Sequence, residues 1–180
     1  DAEWIADLLR HGLLKGSFIP SAQQRAWRDL TRYRTTLTDE RTREVNRVQK
    51  VLEDANIKLA SVASNVMGVS GRAMLEQLIQ GKTDPATLAE LAKGRLREKR
   101  ELLAKALTGT FKPHHRFMLI QHLSHIDFLD EQIAKLDAEL DDQMRPFQAT
   151  LERWDQIPGI NLRIAQVLVA EIGTDVKQFA

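Results

Sequence analysis

The chain has 180 residues, 43% of them hydrophobic and 28% charged, with a formal net charge of +1. That balance argues against disorder and suits one soluble domain, or one and a half. With no cysteine, no disulfide can hold the fold, which fits an intracellular protein. Neither a signal peptide nor an apolar run of about 18 residues points to a membrane.

The near-neutral total hides segregated charge. Arg25 to Lys50 carries eight basic residues against four acids, and Lys93 to Lys105 six against two. Asp127 to Asp142 carries seven acids against Lys135 alone. Such blocks suit a nucleic-acid face, complementary helices packed on one another, or both.

In chain order, AEWIADLLRHG places Trp4, Ile5, Leu8 and Leu9 on one helical face and stops at Gly12. GSFIPS predicts a loop, with Ser21 as the N-cap of the next helix. From Ala22 to about Val66 the pattern predicts one very long helix. Its apolar residues, from Leu30 and Leu37 to Val62 and Val66, recur from Val45 onward at steps of three and four, like a coiled-coil seam. MGVSG breaks it. SGRAMLEQLIQG predicts a short helix capped by Ser70, and TDPATLAELAKG a helix with Pro85 at its first position. RLREKRELLAKALTG predicts a basic amphipathic helix. After FKPHH a second seam runs from Leu119 to Trp154, kinked at Pro146.

The expected class is therefore all-α. It comprises long coiled-coil-like helices, a small helical cluster and a helix-hairpin-helix-like start at the C-terminal end. The two seams imply an antiparallel pair of helices, or a dimer built from one; neither a strand nor an internal repeat is expected.

Three constellations carry possible chemistry. At 100° per residue, Arg25, Arg28, Arg32, Arg43, Arg47 and Lys50 fall within about 100° of arc along some 37 Å of helix. Such a stripe suits a phosphate backbone, because each contact releases condensed counterions. The plainer reading is a solvated helix face diluted by Asp29, Asp39, Glu40 and Glu44. Arg34 and Arg41 fall on the apolar side instead, where an unpartnered arginine is costly, so that stretch should face acids or phosphates.

The second constellation, IPGINLRIAQVLVAEIG, resembles the second half of a helix-hairpin-helix. Gly159 supplies a positive φ, and the N–H groups opening the next helix can hold a phosphate. Asn161 stands where a second glycine is usual, and asparagine tolerates the left-handed conformation. Ile164, Ala165, Leu168 and Val169 should pack that helix, and the plainer reading is an ordinary turn. Third, His114, His115, His122 and His125 stand near Asp127, and His122 and His125, three apart, are spaced to share a metal, although strict ligand spacing is missing. No phosphate-cradling glycine loop, hydrolase elbow or triad is present, so these residues show no complete active site.

The order of the blocks DAEWIADLLRHGLLKGSFIP, WRDLTRYRTTLTDERTREVNRVQKVLEDANIKL, VSGRAML, FKPHHRFML and IPGI…AEIGTD…F resembles the central part of one family. These are the bridge-RNA-guided insertion-sequence transposases, which pair a RuvC-like DEDD domain with a C-terminal serine transposase domain. The resemblance implies that residues 1–20 end the RuvC-like domain, 21–155 form a helical coiled-coil region, and 156–180 begin the transposase domain. It implies that Asp1 is the last of four metal-holding acids, the other three lying upstream, and that the nucleophilic serine lies beyond Ala180. A chain that starts at Asp1 without methionine and ends in DVKQFA is then expected to be an excised middle.

On that resemblance the parent protein uses Mg²⁺, while this fragment holds no cofactor and is inactive alone. Its partners would be a guide RNA, donor and target DNA, and further copies of itself, with no membrane. Its place would be the cytoplasm of a prokaryotic cell, at the nucleoid when active. The expected role is oligomerisation and guide-RNA and DNA backbone binding during DNA transposition. Two rivals remain: a non-catalytic helical protein–protein adaptor using the acidic 127–142 face, and a helix-hairpin-helix repair or recombination accessory protein.

Overall fold

The computed structural model describes residues 1–14 and 19–174. Every regular element in them is helical, as the sequence predicts: α1 (Ala2–Arg10), α2 (Ala22–Asp54), α3 (Val69–Ile79), α4 (Pro85–Ala89), α5 (Arg100–Ala106), α6 (Pro113–Gln143), α7 (Gln148–Asp155) and α8 (Leu162–Ile172). Short 3₁₀ turns lie at Leu59–Ser61, Gly94–Lys99 and Arg145–Phe147. The first half of the GSFIPS loop, at 16–18, and the end of the expected C-terminal domain, at 175–180, fall outside the described residues. The chain divides into two compact units, Asp1–Tyr33 with Ala138–Ala180, and Arg34–Asp137.

In the Arg34–Asp137 unit, α2 and α6 run antiparallel. Arg34 meets Asp137 at 3.2 Å, Arg41 pairs with Asp130, His122 meets Glu44 at 2.8 Å, and His115 meets Asp54 at 2.7 Å. One series of numbers rises as the other falls. Between these rungs Val48, Leu52, Leu119, Leu123 and Ile126 are buried with α3, α4 and α5 residues in one core. The opposed charge blocks of the sequence thus meet as complementary helices, and the misplaced arginines Arg34 and Arg41 do face acids.

Both long helices are shorter than their seams. The first ends at Asp54 rather than about Val66, because Asn56 takes a left-handed φ of 57°. Ile57, Leu59, Ala63 and Val66 stay buried all the same. Backbone groups that helix would have satisfied find partners across the unit. Lys58 N–H donates to the Ala106 carbonyl at 2.7 Å, and Thr110 N–H to the Ala55 carbonyl at 2.8 Å. The second stops at Gln143, and Pro146 sits in a separate 3₁₀ turn, so the proline accompanies a break, not a kink.

Local rules fared better at helix starts. Ser21 Oγ accepts from Gln24 N–H at 3.1 Å, and Asp84 accepts from Thr87 N–H at 2.8 Å ahead of Pro85. Ser70 is a correction. Gly68 is the N-cap of α3, and the Ser70 hydroxyl instead accepts from Lys93 N–H at 2.9 Å. The basic segment after Gly94 is not one helix either, but a 3₁₀ turn followed by α5.

In the other unit, Trp27, Leu140, Met144, Leu151, Ala165, Val169 and Ala170 make a smaller core, with Trp27 edge-on to Phe147 at 5.3 Å. Helix α1 buries none of its residues, and Trp4 is 67% exposed.

Candidate nucleic-acid interface

The six cations of the α2 stripe have different local fates. In the unit of Asp1–Tyr33, the Arg25 guanidinium donates to the Pro20 carbonyl at 2.8 Å. Arg28 donates to the Ala170 carbonyl at 3.0 Å and to that of Glu171. Arg32 grips the Glu171 carboxylate with two hydrogen bonds, of 2.9 and 3.0 Å. Arg28 therefore caps the C-terminal end of α8, where orphan carbonyls and the negative end of the helix dipole favour cations, while Arg32 pairs with the Glu171 side chain. Glu171 was not foreseen as their partner, since it lies far along the sequence.

In the other unit, Arg43 and Arg47 come together with Glu40, Glu44 and His125 around an open depression of about 480 Å³. The Glu44 side chain is only 4% exposed; it accepts from His122 Nδ1 at 2.8 Å and from Arg47, and His125 Nδ1 stands 3.3 Å away. Burial pushes the Glu44 carboxyl up, but the His122 hydrogen bond and the charge and hydrogen bond of Arg47 outweigh it, holding the group below its ordinary value. Arg43 and Lys50 are exposed, and their side chains have no hydrogen bond or ion pair among the described residues. His122 and His125, spaced to share a metal, thus converge on a buried carboxylate.

Among the described residues, the group with metal-ligating geometry is Asp54, His114 and His115. The buried His115 ring is already satisfied. Its Nδ1 accepts from Lys112 N–H at 3.1 Å, so Nε2 carries the proton and donates it to Asp54 at 2.7 Å. An imidazole in that tautomer has no lone pair at Nε2 for an ion, and the contact reads as a tie between the end of α2 and the start of α6. The His115 hydrogen bond, against a smaller opposing effect of burial, holds the Asp54 carboxyl below its usual range.

Asp1 precedes α1 and is exposed, and no group of three potential metal ligands among the described residues includes it. A Mg²⁺ ion needs several converging oxygens, so these residues by themselves do not fit that ion.

At the turn before α8, Gly159 has the expected positive φ of 88°. Asn161 does not take the left-handed conformation. It is extended, with φ −99° and ψ 171°, and its side chain caps α8 by accepting from Ile164 N–H at 3.0 Å. Ala165 and Val169 are buried as expected, whereas Ile164 is 42% exposed. Asn161→Ala is expected to cost about 1 kcal/mol of stability in chemical denaturation, and Asn161→Asp, which keeps the cap, close to nothing. If the turn touches phosphates, Asn161→Asp lowers nucleic-acid affinity without lowering stability; equal affinity for the two proteins assigns Asn161 to capping alone.

Residues 1–57 match the family model of DEDD transposases of the IS110 type, described as Transposase. This stretch is transposase-like. It holds Asp1 and all six stripe cations, while Gly159 and Asn161 lie outside it. No curated protein and no solved structure matches the chain.

Proposed function

We propose that the chain is part of a DNA transposase of the bridge-RNA-guided insertion-sequence kind, in which it serves assembly and nucleic-acid holding and not bond cleavage. The observation that carries this reading is the match of residues 1–57, which spans α1 and α2. The exposed Trp4, Ile5 and Leu9 of α1 support its role as the closing helix of a RuvC-like domain, where Asp1 would join upstream acids around Mg²⁺. The exposed Arg43 and Lys50 are the stripe cations best placed for RNA or DNA phosphates, with the Gly159 turn as a further contact. Arg28, Arg32 and Arg47 would have to exchange acidic partners for phosphate.

The adaptor reading loses its main feature. In the acidic run, Asp127, Asp130, Glu131, Asp137, Asp141 and Asp142 are each ion-paired with a basic side chain, leaving little unopposed charge to recruit another protein.

The test is a salt titration of binding to a structured RNA and to duplex DNA of equal length. Wild type should show a steep fall of affinity with salt, about 0.7–0.9 in log–log slope per phosphate contact. Arg43→Glu with Lys50→Glu should weaken binding about tenfold or more and flatten that slope by roughly one to two. Unchanged affinity and slope would refute the α2 face as a nucleic-acid surface. Light scattering that shows only monomer at high concentration would refute the assembly role.

A further inference from the structure

The segment from Lys93 to Lys105 presents a different picture from α2. Most arginines elsewhere in the Arg34–Asp137 unit hold acids: Arg34, Arg41, Arg47 and Arg72 all have carboxylate partners. Lys93, Arg95, Arg97, Lys99 and Lys105 are exposed, and none of them has an ion pair or side-chain hydrogen bond among the described residues. Four of the five fall between Lys93 and Lys99. At about 2 Å of rise per residue in a 3₁₀ turn, they lie within roughly 12 Å along its axis.

This is a fixed platform. Lys93 N–H is held by Ser70 Oγ at 2.9 Å, Arg100 is paired with Glu90 at 3.1 Å, Leu96 packs against the core and Leu103 is fully buried. Gly94, with φ +55°, turns the chain into the 3₁₀ segment and has open space around it. Glu98 and Glu101 share the stretch but neither holds one of these cations. Like charges held within about a Debye length repel one another, so the arrangement carries an electrostatic cost that an anionic partner removes.

We infer that the Lys93–Lys99 turn is a second nucleic-acid contact, made to the phosphate backbone of duplex DNA. Backbone contact follows from chemistry: the segment offers flexible cations, whereas base stacking needs aromatic rings, and none occurs between Lys93 and Lys105. The choice of DNA over RNA rests on the transposase reading; the presence of a phosphate-binding surface rests on the unpaired cations alone. The contact is expected to be insensitive to DNA sequence and to act as an anchor that tethers the Arg34–Asp137 unit to a DNA strand.

The experiment compares three proteins by fluorescence anisotropy on duplex DNA and on a stem-loop RNA of equal length, across a range of salt. They are wild type, the turn variant (Lys93→Gln, Arg95→Gln, Arg97→Gln, Lys99→Gln) and the Arg43→Glu, Lys50→Glu variant. These turn side chains are exposed and make no ion pair or side-chain hydrogen bond among the described residues, so the turn variant should keep the wild-type melting temperature. Its DNA affinity should fall about thirtyfold at moderate salt, with a log–log slope smaller by about two to three. An unchanged DNA affinity in the turn variant overturns the inference, and leaves the α2 proposal standing if the Arg43 and Lys50 variant does lose binding. Loss of RNA affinity with DNA affinity intact also overturns it, because it moves the surface to RNA. Absence of wild-type binding to either nucleic acid overturns both readings.

Discussion

Replacing Gly71 by alanine is expected to lower the melting temperature by on the order of 10 °C. A Cβ at this position would lie 2.0 Å from the Val66 carbonyl oxygen and 2.7 Å from its carbon. Both are backbone atoms, so no side-chain rotation relieves the clash. Helix α3 would have to move, yet Met74, Leu75 and Leu78 on it are buried in the core. Shifting a packed helix to admit one methyl group costs about 3 kcal/mol. Gly94→Ala is the comparator, with a left-handed φ and no atom within 4 Å of its added Cβ; it should cost only about 1 kcal/mol of backbone strain. Circular-dichroism melts distinguish the two, and a Gly71→Ala midpoint within about 2 °C of wild type would show that α3 is not seated on the Val66 turn.

The second large effect is expected at Glu44. Its carboxylate is buried beneath His122, His125 and Arg47, and Glu44→Ala leaves those donors facing a cavity. Because Arg47 remains open to solvent, the loss should lie at the lower end for a broken buried pair, about 2–3 kcal/mol. The sign of the pH effect follows from the lowered Glu44 pKa. The charged form is favoured in the folded chain, so the stabilisation is complete above the ordinary carboxylate range. It disappears as pH falls through that range to the lower folded value. Urea midpoints measured between neutral pH and about pH 3.5 should converge for wild type and Glu44→Ala as the acid is protonated. Asp54, Asp84 and Glu131 also have lowered pKa values and give both proteins a shared acid sensitivity, so the difference between the curves isolates Glu44. Curves that stay parallel down to acid pH would remove the charge of Glu44 from the account.

Much of the architecture was legible because its signals are local. Helical periodicity marks which residues face the core, and Leu52, Leu119, Leu123 and Ile126 are all buried where it puts them. Ser21, Asp84 with Pro85, and Gly159 act on atoms within a few residues, so their roles follow from spacing alone. The same periodicity overextended both long helices. Steps of three and four identify burial but do not require helix, and Ile57 and Leu59 reach the core from a chain already turned by Asn56.

The candidate surface was less legible, since a cation's availability depends on what stands opposite it. The stripe from Arg25 to Lys50 looked continuous on a helical wheel, yet Arg28 and Arg32 meet Glu171 and Arg47 meets Glu44, while Arg43 and Lys50 remain exposed. The Lys93–Lys99 cluster was visible as composition, but that it has no acidic partner among the described residues became apparent only in the fold.

By itself, the sequence determined the all-α class, the starts of α2, α4 and α8, most core-facing residues and the complementary charge blocks, because each depends on residue type at short, regular spacing. The tertiary structure alone decided that α2 and α6 run antiparallel, that His115 donates to Asp54, and which arginines are neutralised. Those outcomes depend on through-space pairing between residues distant in the chain, where a few ångströms separate a salt-bridged arginine from one open to a phosphate.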